Sequence, residues 1–236
     1  MRLYESCFAE AERLLAAYPF RSLETTAEPW PDAGKNQIIF RGDTLCEPGG
    51  GTLPAISGIA LTDRVDLVPR DEILLCGPDL PSLRGEVPYA RLALFRVKEE
   101  SMGEGSRFYQ AIRKIEYTRY HVCPEGFMVR ISAMSHRESV RVGKSAIEKG
   151  LDFAAVGQTF IRRYHEHPAV EAVKLLFITH PDFPYAEVAE LAEKGENITK
   201  ALDHLLQKVK MDCNVCSLKT VCAEVEALCN TYFPKT

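Results

Sequence analysis

The sequence has little that would mark a nucleic-acid or membrane protein. Its 29 Lys and Arg are outnumbered by 33 Asp and Glu, so it lacks the excess of positive charge that attracts nucleic acid. It also lacks a run of about 18 uninterrupted apolar residues, the length that a membrane-spanning helix needs. Glu5, Glu10 and Glu12 interrupt the first apolar residues, so a signal peptide is not expected. We therefore predict a cytoplasmic protein that binds neither nucleic acid nor membrane.

Common catalytic motifs are missing as well. The sequence contains neither the His-Glu-x-x-His metal motif nor the Gly-x-Ser-x-Gly nucleophile motif. The run Gly49-Gly50-Gly51 lacks the flanking residues of a phosphate-binding loop and instead indicates a flexible loop. The sequence alone therefore identifies no catalytic residue.

What the sequence does contain is a concentration of cysteine near its C-terminus. Four of its 8 cysteines have the spacing C-x2-C-x5-C-x6-C: Cys213, Cys216, Cys222 and Cys229. In a reducing compartment clustered thiolates are typical ligands of a soft metal centre, so these four cysteines are the predicted metal ligands. The remaining cysteines are scattered among apolar neighbours and are interpreted as small buried hydrophobic residues: Cys7, Cys46, Cys76 and Cys123.

The spacing favours a 4Fe–4S cluster over zinc. Structural zinc sites more often pair two C-x2-C knuckles, or one knuckle and two histidines, across about 12 to 20 residues. Here Cys222 and Cys229 form no knuckle, and no histidine follows His204, so the compact run is closer to the iron–sulfur pattern. One helix through both cysteines would separate them by about 10 Å, so we expect Cys222 to lie at or before the start of a helix that covers residues 223–229. Zinc, and thiols without metal, stay open as alternatives.

Periodicity and alternation of apolar residues predict an α+β fold, with a mixed β-sheet packed by helices and a small cysteine-rich C-terminal segment. The predicted helices cover residues 2–18, 106–121, 144–149, 153–165, 185–194 and 197–210. The predicted strands cover residues 37–40, 56–61, 72–76, 89–97, 127–132, 139–143 and 173–179.

Several residues predict local features of these elements. Gly150 is placed to end one helix and Asp152 to cap the start of the next. The nearly continuous apolar run at residues 173–179 is typical of a central strand. The helix over residues 106–121 should turn a basic face to solvent, with an anionic ligand or acidic partner as the alternative, through Arg107, Arg113, Lys114 and Arg119.

From Val140 the chain reads Val-Arg-Val-Gly-Lys-Ser-Ala-Ile-Glu-Lys-Gly-Leu-Asp-Phe. A predicted helix, an apolar strand and the four-cysteine segment follow this run. The order of motifs from residue 71 to about residue 230 resembles the middle region of acetyl-CoA synthase, the β-type subunit of the carbon monoxide dehydrogenase/acetyl-CoA synthase complex. Upstream, Gly77-Pro78-Asp79 and the strand at residues 89–97 also correspond. The matching positions are Arg141, Lys144, Ala146, Lys149, Gly150, Phe153 and Gly157.

The resemblance divides the chain into three parts and implies a role for the last. Residues 1–70 would hold a helix and short strands, residues 71–210 the synthase-like α+β domain, and residues 211–236 the metal-binding segment. In the family the corresponding cysteines hold the 4Fe–4S part of a nickel-containing cluster, with the longer spacing C-x2-C-x8-C-x9-C. The family binds nickel through a Cys-Gly-Cys tripeptide, which this sequence does not contain. The resemblance therefore implies a shortened relative that is not by itself a complete acetyl-CoA synthase.

The function implied is that of an acetyl-CoA-synthase-like iron–sulfur protein of anaerobic one-carbon metabolism. It would transfer electrons, or serve as an accessory partner of carbon monoxide dehydrogenase, a corrinoid protein or an electron carrier. Two alternatives stay open. The chain could be a structural or assembly module, stabilised by zinc or free of metal, or one subunit of a split acetyl-CoA synthase. Whether the chain is an enzyme is not decided by its sequence.

Overall fold

The computed structural model describes residues 2–25, 28–131, 137–207, 216, 218–219, 221–222 and 225–227. In this part of the chain helices pack around mixed sheets, which confirms the predicted α+β class. The helices are α1 (Glu5–Ala17), α2 (Ser106–Thr118), α3 (Lys144–Glu148), α4 (Phe153–Tyr164) and α5 (Tyr185–Leu206). The strands are β1 (Arg21–Ser22), β2 (Thr44–Pro48), β3 (Ala55–Thr62), β4 (Glu72–Cys76), β5 (Gly85–Val87), β6 (Tyr89–Val97), β7 (Phe127–Ile131), β8 (Glu138–Gly143) and β9 (Val170–Ile178).

The larger sheet has the strand order β1-β4-β9-β6-β3, with β9 in the middle, as its apolar sequence predicted. Strand β9 runs parallel to β4 and antiparallel to β6. Helix α4 covers one face, where Phe153 stacks on Phe177 with ring centroids 4.5 Å apart. Helix α5 covers the other face, where Ala192 lies against Gly58 of β3. Because both faces are covered, β6 and β9 are buried along almost their whole length.

The smaller sheet has the order β5-β2-β8-β7, and β7 and β8, both predicted as strands, pair antiparallel in it. The predicted strand at residues 37–40 is wrong, since this segment is irregular and β2 follows it instead. Gln37 explains the difference: its amide donates to the carbonyl of Pro124, and its side-chain oxygen accepts from the amide of Gly126. Side-chain hydrogen bonds therefore hold the segment, although exposed Ile38 and buried Ile39 give it the alternation of a strand.

Both predicted helix caps are confirmed, whereas one predicted helix break is wrong. Gly150 follows α3 with a φ of 102°, and the Asp152 carboxylate accepts a 2.8 Å hydrogen bond from the amide of Ala155. Helix α5 continues through Gly195, where two helices were predicted; residues 208–210 of the second lie outside the described residues. A Cβ at Gly195 would lie 2.7 Å from the carbonyl oxygen of Ile59. Gly195 therefore allows α5 to pack closely on β3 without breaking the helix.

Residues on both sides of position 70 contribute strands to the same sheets. Strand β3 pairs with β6 in the larger sheet, and β2 pairs with both β5 and β8 in the smaller one. Residues 1–70 and 71–210, which were predicted as separate parts, are thus joined by backbone hydrogen bonds.

Gly126, in the turn before β7, should be intolerant of any side chain. Its φ is 80°, and a Cβ there would overlap the Cβ of Ala146. We expect Gly126→Ala to lower the free energy of unfolding by about 2 to 4 kcal/mol, through left-handed backbone strain and overpacking together. Gly150→Ala is the matched control, because Gly150 also has a positive φ but no atom within 4 Å of its Cβ position. Urea unfolding should show a loss of about 1 kcal/mol in the free energy of unfolding for this control. Equal losses in Gly126→Ala and Gly150→Ala would contradict the predicted overlap with Ala146.

Candidate functional site

Two of the four predicted metal ligands lie within the described residues. Cys216 and Cys222 are both half-buried, and Cys216 packs against the apolar core. Cys213 and Cys229 lie outside the described residues. In the part of the chain that the structure describes, no group of three or more His, Cys, Asp or Glu could hold a metal ion. The four-cysteine centre therefore stays a prediction.

Cys222 lies in a helical turn. Its amide donates a 2.9 Å hydrogen bond to the carbonyl oxygen of Leu218, four residues earlier, and the amide of Val221 bonds the same oxygen. The expectation that Cys222 lies at or before the helix start is therefore wrong, because residues 219 and 221 are already helical. The helical turn begins earlier because Leu218 and Val221 are both buried, so packing stabilises the turn that precedes Cys222.

Three apolar side chains anchor the cysteine segment to the body of the protein. Leu218, Val221 and Val225 have the i, i+3, i+7 spacing of one helix face, and each is buried, Val225 to 1% exposure. Helical geometry places Cys222 beside this buried face, at its boundary with solvent. The two described thiols thus lie in a segment that is docked on the core.

Loss of the Val225 anchor should loosen this segment. We expect Val225→Ala to raise the hydrogen-exchange rate of the Cys222 amide about tenfold, because each buried methylene contributes about 0.8 kcal/mol to docking. Glu226→Ala is the matched control, since Glu226 neighbours Val225 but is exposed. Measured by mass spectrometry, the exchange rate of the Cys222 amide should be the same in the control as in the wild type. Equal exchange in all three proteins would show that the segment does not depend on this contact.

The four cysteines outside this segment were all predicted to be buried, which is confirmed for three of them and wrong for Cys123. Cys7, Cys46 and Cys76 are buried, whereas Cys123 is only half-buried. Burial raises the pKa of Cys7 and of Cys46 to about 12, so both are neutral thiols near pH 7. Neutral buried thiols are poor metal ligands, so burial excludes Cys7 and Cys46, and only the C-terminal cysteines are clustered in the sequence.

A second unusual feature is a charged pair in the core between the two sheets. Arg91 of β6 and Glu138 of β8 have side chains that are 1% and 3% exposed. The guanidinium donates to Glu138 Oε1 from Nη2 at 2.5 Å and from Nε at 3.0 Å. The Phe160 ring lies 4.2 Å from Arg91 Cζ, and Nη1 lies 3.4 Å from the hydroxyl of Tyr164. Helix α4 therefore supplies an aromatic wall for this ion pair.

Arg91 keeps its charge although it is removed from water. Burial disfavours the charge of Arg91, but the Glu138 carboxylate raises the pKa of Arg91 above its usual value. Two neighbouring buried polar atoms, Glu138 Oε2 and the hydroxyl oxygen of Tyr89, have no hydrogen-bond partner among the described residues. Such atoms are rare in folded proteins, so the cluster has unused hydrogen-bonding capacity.

The sequence held a signal for this pair that motif reasoning missed. Arg91 stands inside the run Tyr-Ala-Arg-Leu-Ala-Leu-Phe-Arg-Val, which forms a buried strand next to the central one. Arginine is almost never fully buried unless it is paired, so an arginine in such a run indicates a buried carboxylate elsewhere. Its partner is 47 residues away and could not be identified from the run itself.

The basic face predicted for α2 is only partly solvated. Arg107 and Lys114 are exposed, as expected. Arg119 has a side chain only 15% exposed, so for this residue the prediction is wrong. Its guanidinium donates to Ser57 Oγ at 3.0 Å and to the Tyr120 hydroxyl at 2.7 Å, and this docks the end of α2 on β3.

No protein-family model matches this chain, and no curated protein is significantly similar to it. Among the described residues, every helix is too short or too polar to cross a bilayer. The function must therefore be argued from the residues themselves.

Proposed function

We propose that this chain is an acetyl-CoA-synthase-like iron–sulfur protein of anaerobic one-carbon metabolism, in which Cys213, Cys216, Cys222 and Cys229 hold a 4Fe–4S cluster without nickel. The observation that carries the proposal is the docking of the cysteine segment. Leu218, Val221 and Val225 fix this segment on the core and leave two thiols at its boundary with solvent. Four sulfurs at this spacing suit the cluster, and zinc is the alternative centre.

The activity that follows is electron transfer, or docking on a redox partner. A bound cluster would supply one-electron chemistry, and the chain's own residues would bind it and limit its access to water. Cys216 and Cys222 are half-buried, so a centre held by them would have a short path to the surface. The partners proposed are carbon monoxide dehydrogenase, a corrinoid protein or a small electron carrier. Joining acetyl groups to coenzyme A is not proposed for this polypeptide, because its sequence lacks the Cys-Gly-Cys nickel motif.

Electron transfer can be tested with purified components under anaerobic conditions. Carbon monoxide dehydrogenase, with carbon monoxide as its electron source, should reduce the cluster and bleach its absorption at about 400 nm. The rate should saturate with the concentration of this chain. Dithionite is the control that shows the cluster to be reducible. If dithionite reduces the cluster but neither carbon monoxide dehydrogenase nor a corrinoid protein does, the result would contradict the proposal that either of these two proteins is the partner.

The same docking also suits a structural module in which the cysteines bind zinc. Buried apolar anchors beside half-buried thiols are equally compatible with a small zinc site that pins the end of the chain. A zinc form would have no redox signal and would lose thermal stability on treatment with a chelator. A split synthase would instead co-purify with a second polypeptide that carries Cys-Gly-Cys.

A further inference from the structure

A cavity of about 410 Å³ lies along β3, between α5 and the end of α2. Its volume is within the range of small-molecule sites. Strand β3 is at one end of the strand order of its sheet, so residues 55–59 line the cavity directly. Its polar lining includes Ser57, Arg119, Arg137, Asn197 and Lys200.

Two arginines in this lining retain hydrogen-bonding capacity. Arg119 Nε is inaccessible to water and has no acceptor among the described residues. Arg137 donates to the carbonyl oxygens of Gly49 at 3.0 Å and Gly51 at 2.8 Å, and to that of Leu53. Carbonyl groups orient a guanidinium without neutralising it, so Arg137 is held in place with its charge uncompensated by these partners.

Three cations and three carboxylates line the cavity itself, so any excess of positive charge comes from arginines outside the lining. Glu116 is shared by Arg113 and Arg119, at 2.5 Å and 3.4 Å. Glu138 binds Arg91 and also acts electrostatically on Arg119. With Arg137, this cluster contains four guanidinium groups and two carboxylates, an excess of two positive charges. The members are Arg91, Arg113, Arg119, Arg137, Glu116 and Glu138.

The rim of the cavity lowers this excess from two positive charges to one, through Glu193. Lys200 and Glu196 neutralise each other in a 2.6 Å pair on α5. Glu193 is exposed to solvent, where water and salt screen its charge more strongly than those of the half-buried arginines.

We propose that this cavity binds a small molecule through a carboxylate or phosphate group, with Arg137 donating to its oxygens and the nearby Arg119 guanidinium adding a second positive charge to the lining. Arginine suits both groups because its planar guanidinium can donate two parallel hydrogen bonds to one oxyanion. Ser57 and Asn197 lie in the same lining and would contact the uncharged part of the ligand. This site is separate from the cysteine segment, and its occupancy does not depend on a metal.

Pyrophosphate and succinate serve as the two probes, each tested by calorimetry and thermal unfolding at constant ionic strength with chloride. We expect saturable binding and a rise in Tm with at least one probe; the probe that binds identifies the preferred oxyanion. Arg137→Gln should weaken that binding about tenfold, because it removes a charged donor. Arg64→Gln is the control, since Arg64 is exposed and pairs with Asp66 away from the cavity lining.

A second measurement uses the unchanged protein, in case Arg137→Gln disturbs the loop that it bonds. Phenylglyoxal modifies accessible arginines, and peptide mass mapping locates the modified positions. The bound probe should slow modification of Arg137 about fivefold or more and leave Arg64 unaffected. Failure of both probes to bind, or equal binding by wild type and a folded Arg137→Gln, would overturn the proposal.

Discussion

Replacement of Arg91 by methionine is expected to lower the free energy of unfolding by about 3 to 5 kcal/mol. The change leaves the Glu138 carboxylate buried without its cation, and Glu138 Oε2 already lacks a hydrogen-bond partner among the described residues. It also removes the guanidinium that lies over the Phe160 ring and bonds the Tyr164 hydroxyl. Urea unfolding of the wild type and the variant measures the loss.

Two controls separate the buried charge from a general effect of removing arginine. Arg13→Met breaks the Arg13–Glu187 pair, whose side chains are 64% and 43% exposed, and should cost less than about 1 kcal/mol. The double change Arg91→Met with Glu138→Leu should recover much of the loss, because apolar residues often replace a buried ion pair without penalty. A small loss of stability for Arg91→Met would contradict a costly buried charge. So would a double variant whose loss equals the sum of the losses of Arg91→Met alone and Glu138→Leu alone.

The second large effect is expected at the cysteine segment. Replacing Cys216 and Cys222 together by serine should reduce the iron content from about four atoms per chain to less than about one. Serine oxygen is a harder ligand than thiolate sulfur, so two substitutions should abolish cluster binding and its absorption. Iron analysis of anaerobically isolated protein measures the iron content, and its visible spectrum measures the cluster absorption.

Cys123→Ser is the matched control for this pair. Cys123 is also a half-buried thiol, but it lies four residues before the start of β7, far along the chain from the proposed ligands. Iron should therefore be unchanged in this variant. Loss of iron from Cys123→Ser, or its retention in the double variant, would show that the ligands are wrongly assigned.

The parts of the fold predicted best are those in which local pattern and tertiary contacts agree. The bounds predicted for β4 and β6, residues 72–76 and 89–97, are those of the structure. Both strands are apolar runs bounded by polar or turn residues, and both pair with β9 in the sheet, so the local signal and the burial coincide.

Where prediction failed, contacts distant in the sequence override the local pattern. Residues 37–40 alternate like a strand, but Gln37 bonds atoms near Pro124 and Gly126 instead of joining a sheet. Gly195 looks like the end of a helix, yet its missing side chain lets α5 approach Ile59. Neither contact could be inferred from the residues on either side.

The same limit applies to the sites. A cysteine spacing is local, so the sequence could nominate Cys213, Cys216, Cys222 and Cys229 together. The Arg91–Glu138 pair joins two sheets, and the charges around the cavity come from several separate elements. Such clusters arise only from the tertiary fold, and residue spacing does not reveal them.

The most direct test of the cysteine centre is a joint measurement of iron, zinc and acid-labile sulfide in the chain isolated from cells without exposure to oxygen. We predict about four irons and about four sulfides per chain, with zinc well below one equivalent. One zinc without sulfide, or protein without bound metal, would contradict the proposed iron–sulfur function.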